Sequence, residues 1–119
     1  MAVFVRALPG LVVRQAAEPG AATVVTVEGE IDLRNCDDLA LVLAQVADDP
    51  AAGPVVVDLT AVCFLAACGL RCLAQVREKI EQNGGRISLV VGPGPGGVRR
   101  LLDLVGGFDL VGCAEVGGR

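Results

Sequence analysis

The stretch Val55-Val56-Val57-Asp58-Leu59 does most to limit what this chain can become. Its valines and leucine fall on both faces of a strand, so it reads as fully buried, and strands of that kind sit beside parallel neighbours. Parallel neighbours are joined by crossovers of about a dozen residues or more, usually helical. The sequence supplies a helical pattern on each side. Upstream, Cys36, Leu39, Ala40, Leu43, Val46 and Ala47 recur at helical spacing, with Asn35 as N-cap, Asp37 and Asp38 in the first turn and Pro50 beyond the end. Downstream, a helix over about 68–82 carries Leu70, Leu73, Ala74 and Ile80 on one side and stops at Asn83-Gly84-Gly85.

The remaining segments extend this alternation. Leu11 to Gln15 and Thr23 to Glu28 read as strands separated by the turn residues Glu18-Pro19-Gly20, with Val25 and Val27 alternating against Thr26 and Glu28. Val3 to Val5 either pairs with them or frays. Ile87 to Val91 is another buried strand, Gly92 to Gly97 a rigid loop, and Val98, Leu101, Leu102 and Val105 a third helix closed by Gly106-Gly107. A short last strand fits near Leu110 to Val116. The order is β-β-α-β-α-β-α: an α/β chain with a mixed sheet flanked by helices. Residues 1–119 read as one domain, with 1–10 an extra strand or frayed and 114–119 a flexible tail.

Composition removes several kinds of function. The chain has 53% hydrophobic residues but only three Phe and no Tyr or Trp, so its core is aliphatic. A net charge of −4 argues against nucleic acid as a partner, because neutralising phosphates takes a basic surface. No apolar run approaches the roughly 20 residues that span a bilayer, and no secretory apolar segment shows near the start, so a cytoplasmic, non-membrane protein is expected. Histidine is absent, which removes the commonest general base, the usual partner of a Ser or Cys nucleophile and the commonest metal ligand. The one serine, Ser88, lies inside a strand pattern. We therefore expect no enzyme, no cofactor and no metal. Gly92-Pro93-Gly94-Pro95-Gly96-Gly97 matches G-x-G-x-x-G, but its prolines remove N–H donors, so it reads as a rigid turn and not as a dinucleotide site. Asp32 and Asp58 read as strand-end carboxylates with separate roles, Asp58 bonding the backbone.

The turn Phe64-Leu65-Ala66-Ala67-Cys68-Gly69-Leu70 joins a strand to a helix. The unpaired N–H groups of a helix start attract acceptors, yet Ala66 and Ala67 have no side-chain oxygen to offer as a cap. Five cysteines, Cys36, Cys63, Cys68, Cys72 and Cys113, form an odd set without CxxC spacing, so they read as reduced thiols. Cys68 sits where the positive end of the helix dipole favours a thiolate, and is either a redox-sensing thiol or a steric stand-in for serine. Cys72 lies one turn on, with its Cα roughly 6 Å away, near the upper end for a disulfide. A bond from Cys68 to Cys63 or Cys113 stays open. Cys63, Cys68 and Cys72 match no standard metal-ligand spacing.

Several segments together resemble the STAS domain of bacterial anti-sigma factor antagonists. They are Gly29-Glu30-Ile31-Asp32-Leu33, Val55 to Thr60, Phe64-Leu65 with Gly69-Leu70, Arg86 to Val90, and Val98 to Leu102 with Gly107-Phe108-Asp109. The similarity covers roughly 11–113. It implies a STAS-like fold and a binding switch that docks on an anti-sigma factor, often a serine kinase, and so frees a sigma factor. In such proteins the kinase phosphorylates a serine in an Asp-Ser-Ser-Gly-Leu-like turn. Here Ala66 takes the place of the Asp, Ala67 that of the phospho-acceptor and Cys68 that of the second Ser, while Gly69 and Leu70 match. Ala67 has no hydroxyl, so the off-switch is expected to be missing there, and Thr60 lies too early in the loop to inherit it. The resemblance places Asp32, Ala66, Ala67, Cys68, Gly69 and Leu70 at the partner surface, with Arg71 able to reach an acidic partner. The alternative is a non-catalytic scaffold subunit of a larger STAS complex unrelated to a sigma-regulating kinase.

Overall fold

The computed structural model describes residues 2–17, 21–49, 53–92, 97–106 and 110–112. Their six strands form one sheet in chain order: β1 (Ala2–Leu8), β2 (Leu11–Ala17), β3 (Thr23–Ile31), β4 (Val55–Leu65), β5 (Ile87–Val91) and β6 (Leu110–Gly112). The first two pairings are antiparallel and the other three parallel. Helices α1 (Cys36–Asp48), α2 (Ala67–Gln82) and α3 (Gly97–Val105) make the crossovers. Each new parallel strand is added on the same side of the last, so right-handed crossovers put all three helices on one face. The core follows from this: Val25, Val27, Val57, Leu59, Leu89 and Val91 of the sheet are buried with Leu39 and Leu43 of α1, Leu73 and Ile80 of α2, and Leu102 of α3. Such residues, each worth about 1.5–3 kcal/mol when fully buried, anchor the helices to the sheet.

The segment Val3 to Val5 does pair, as part of β1, across a turn at Pro9-Gly10, and the short last strand forms against β5. The expected tail at 114–119 lies outside the described residues. Val55 to Leu59 is fully buried on the helix face only; Val56 and Asp58, on the other face, are half-buried. Strands β3 and β4 are longer than their apolar patterns suggest. Two register shifts, between Thr26 and Glu28 and between Gly29 and Glu30, carry the pairing past an irregular stretch to Ile31 and Leu65. Gly29 is at the second shift, at φ +120°, and a Cβ there would run into the Gly10 carbonyl oxygen. Only glycine lets β3 bend there while Glu30 N–H donates to Gly10 O at 3.1 Å. Among the described residues no helix is long and apolar enough to cross a membrane.

Candidate docking site

Strands β3 and β4 end side by side. Ile31 and Leu65 are Cα partners, and Ala66 N–H donates to Ile31 O at 2.9 Å, closing the pairing at the C-terminal ends of these two central strands. From there β3 leads into the Asp32–Asn35 loop and α1, and β4 leads into α2. Strand pairing thus brings together Asp32 and the segment from Ala66 to Arg71, which are more than thirty residues apart in sequence.

The Asp32 loop is held from inside by Asn35, which is 1% exposed. Asn35 does occupy the cap position of α1, but its side chain makes no cap bond. Its Nδ2 donates to Pro9 O at 2.7 Å and to Glu30 O at 2.8 Å, while its Oδ1 accepts from Asp32 N–H at 3.1 Å. The helix start is served by backbone instead, with Cys36 N–H donating to Asp32 O at 2.9 Å. Sequence reasoning assigned Asn35 to the helix because a cap and a loop clamp use the same residue type. On the outside of the loop, Arg34 forks onto Asp32, with Nη2 2.9 Å and Nε 3.2 Å from Oδ2, and its Nη2 is also 3.5 Å from Glu30 Oε1. The guanidinium holds the Asp32 carboxyl below its ordinary range and is itself pushed up.

The first turn of α2 is shaped by backbone and by one glycine. Ala66 is in extended conformation at the cap position, and no side chain caps the helix. Its carbonyl accepts from Gly69 N–H at 2.9 Å and from Leu70 N–H at 3.2 Å. Gly69 is buried, and a Cβ on it would lie 2.6 Å from both Ile31 Cγ2 and Leu65 Cδ1. Its lack of a side chain lets α2 start directly on the two strand ends. Ala67 and Arg71 are exposed, while Ala66, Cys68 and Leu70 are half-buried. Two neighbours that belong to the sequence motifs but were not assigned to the partner surface are prominent here. Leu33, in the Asp32 loop, is 85% exposed, and Phe64, paired with Glu30 just before the turn, is 51% exposed. Leu33 is the one apolar residue in Asp32-Leu33-Arg34-Asn35, the signal that marks it; Phe64 is hidden in sequence by the apolar strand that contains it.

Three thiols lie beneath this surface. Cys36 opens α1, Cys68 and Cys72 lie in the first turns of α2, and all three line one cavity of about 210 Å³ between the helices. The neighbouring Cys68 side chain, together with burial, pushes the Cys36 thiol up to about 11. Burial and the neighbouring sulfurs push Cys72 up to about 12. Cys63 is exposed and donates to Gly29 O at 3.4 Å. Cys113 lies outside the described residues. Among the described residues no group of three or more His, Cys, Asp or Glu is arranged to hold a metal ion. Asp58 is not paired with Asp32: its Oδ1 accepts from Thr60 N–H at 2.9 Å and Thr60 Oγ1 at 2.7 Å. The loop residues 93–96 are outside the described set.

A sheet of this order with helical crossovers, and a strand-to-helix turn beside the Asp32 loop, is the architecture expected of a STAS domain. The STAS domain family model matches residues 14–116, and the chain belongs to that family. The chain is 41% identical over 68 residues to the anti-sigma-F factor antagonist RsfB of Mycobacterium tuberculosis. That match takes in 56% of this chain and 54% of RsfB, so the chain spans about half the length of this relative. Among solved structures, an anti-sigma factor antagonist from Mycobacterium paratuberculosis is 31% identical with a TM-score of 0.65, over 92% of this chain and 83% of that one. SpoIIAA of Bacillus, in its phosphorylated form, has a TM-score of 0.65 over 98% and 96% of the two chains; at 15% identity it shares the fold alone.

Proposed function

We propose that this protein is an anti-sigma factor antagonist, a cytoplasmic binding module without chemistry of its own toward its partner. The observation that carries this reading is its likeness to the anti-sigma factor antagonist of M. paratuberculosis over nearly its whole length. The match to RsfB supports it. In this reading the partner is an anti-sigma factor of the serine-kinase type, and the antagonist competes with a sigma factor for it.

The docking surface consists of the Asp32 loop and the Ala66–Arg71 segment. Leu33 and Phe64 are the apolar anchors, because large exposed apolar side chains gain most when a partner covers them. Arg71, exposed on α2, meets an acidic group of the partner. Ala67 lies at the phospho-acceptor position and has no hydroxyl, so no phosphoryl group can be transferred to it and docking is not switched off there. Thiol regulation takes that place.

The test is equilibrium binding of the reduced chain to each purified anti-sigma factor encoded in the same genome. A stoichiometric complex, weakened about tenfold or more by Leu33→Ala or Phe64→Ala, is the expected result; tenfold corresponds to about 1.4 kcal/mol. Absence of any complex at micromolar concentration overturns the reading and leaves a scaffold subunit of a larger STAS assembly.

A further inference from the structure

Three of the five cysteines converge on one cavity, although they come from two helices and are spread over 36 residues of sequence. Sequence spacing could not show this, because Cys36 reads only as the first apolar position of α1. Asp37, Arg71 and Gln75 line the same cavity. Of the two that line it from the starts of different helices, Cys68 is the outer thiol, half-buried in the first turn of α2, and Cys36 the inner one, 6% exposed. Thiols that face one cavity from two separate helices can form a disulfide without unwinding either helix, unlike Cys68 and Cys72 within α2.

We propose that Cys36 and Cys68 are a redox pair whose oxidation to a disulfide locks the start of α2 to the start of α1 and weakens docking on the anti-sigma factor. This rests on the reading of the Ala66–Arg71 segment as the docking surface. The oxidant is a small hydroperoxide. Cys68, as thiolate, attacks one peroxide oxygen; the O–O bond breaks, the sulfur is oxidised to a sulfenic acid, and the departing hydroxide regains the proton that Cys68 gave up. Cys36 then attacks the sulfenic sulfur: an S–S bond forms, the S–O bond breaks, and hydroxide leaves as water with the Cys36 proton. For hydrogen peroxide, two thiols lose two hydrogens in all and the peroxide becomes two waters. Closing the bond draws the two sulfurs together to about 2.05 Å. Cys68 is next to Ala67, and Cys36 is bonded through its backbone to Asp32 O, so this contraction acts on both halves of the surface.

The experiment treats the reduced chain with hydrogen peroxide, then measures intact mass, maps crosslinked peptides and titrates each form against the anti-sigma factor. A mass loss of about two units for the two hydrogens, a crosslink joining the Cys36 and Cys68 peptides, and an affinity lowered tenfold or more and restored by reductant support the proposal. Cys72→Ser is expected to keep the crosslink, and Cys68→Ser to lose both it and the redox response. Cys68→Ser, at a half-buried position, keeps the comparison open should Cys36→Ser disturb the fold, and Cys36→Ala serves as a second inner variant. A crosslink through Cys63 or Cys113, stable oxygen adducts in place of a crosslink, or equal affinity in the two states overturns it. If the Cys36–Cys68 crosslink maps correctly while the reduced chain binds no anti-sigma factor, the docking reading has failed, the link to docking goes with it, and the thiol pairing alone stands.

Discussion

Asn35 separates two physical accounts of the same residue through one substitution, Asn35→Asp. As a helix cap, asparagine and aspartate are nearly equivalent, and a helix N-terminus even favours the added charge, so the change should be close to neutral. As the loop clamp seen here, the side chain gives two donor bonds, at 2.7 Å to Pro9 O and 2.8 Å to Glu30 O. A carboxylate cannot make either. It leaves two carbonyls without their donor in a site 1% exposed and adds a like-charged oxygen beside them. With about 1–3 kcal/mol for each of the two buried bonds lost with its partner left unsatisfied, the cost is about 2–6 kcal/mol at neutral pH. The carboxylate form bears the repulsion, so the introduced group titrates higher in the folded state than its unfolded value of about 3.9. The folded state then binds more protons, and the penalty grows as pH rises through about 4 and levels off above the folded pKa. Urea denaturation of wild type and variant at pH 7 and pH 4 measures both quantities, with the wild type at each pH cancelling the acid sensitivity of other groups. A loss within about 0.5 kcal/mol of zero at pH 7 would refute the clamp and restore the cap.

Gly69→Ala places a Cβ 2.6 Å from Ile31 Cγ2 and Leu65 Cδ1, both in buried side chains. Overpacking of about 1–3 kcal/mol outweighs the gain of up to about 1 kcal/mol in helix propensity, so thermal melting should show a net loss; a more stable variant contradicts the close approach. The Asp32 carboxyl, held below its ordinary value of 3.8 by Arg34, contributes stability that is present above that value and lost as pH falls through the lower folded pKa. In Arg34→Ala an NMR titration of Asp32 should move its midpoint up; an unchanged midpoint removes the ion pair from the account. Ala67→Ser should gain one phosphoryl group, read by intact mass, on incubation with the partner kinase and ATP, and an unchanged mass counts against the assignment of position 67. Ala67→Glu, which adds charge at the docking surface, should weaken binding about tenfold or more, and undiminished binding moves the surface elsewhere.

The alternation of strands and helices was legible because each element carries its own period. Leu39 and Leu43 repeat at helical spacing and are buried in α1; Val25 and Val27 repeat at strand spacing and are buried in β3. The ends of β3 and β4 were not legible, since the pairing crosses two register shifts where the alternation breaks. Nor was the burial of Val55 to Leu59, because an apolar run does not reveal whether the second face meets another layer. Gly69 and Leu70 were readable as a motif, but the reason for the glycine, a contact with Ile31 from another strand, exists only once β3 and β4 are paired. Cys36 was missed as a neighbour of Cys68 for the same reason: the contact depends on how α1 and α2 are set side by side, which no local period encodes.

The turn after β4 does not depend on its side chain at 67. Its shape comes from Ala66 N–H on Ile31 O, from the Ala66 carbonyl taking the Gly69 and Leu70 N–H groups, and from the room that Gly69 leaves for Ile31 and Leu65. Ala67 is exposed and takes part in none of these contacts, so a hydroxyl can be present or absent there without altering the shape of the turn. Recognition and regulation are therefore separable at this site. Under the proposed reading the chain keeps the first and omits the usual means of the second. Cys36 and Cys68 line the cavity between the two helices; Cys36 N–H donates to Asp32 O and Cys68 follows Ala67, so the proposed bond between them would act on both halves of the surface.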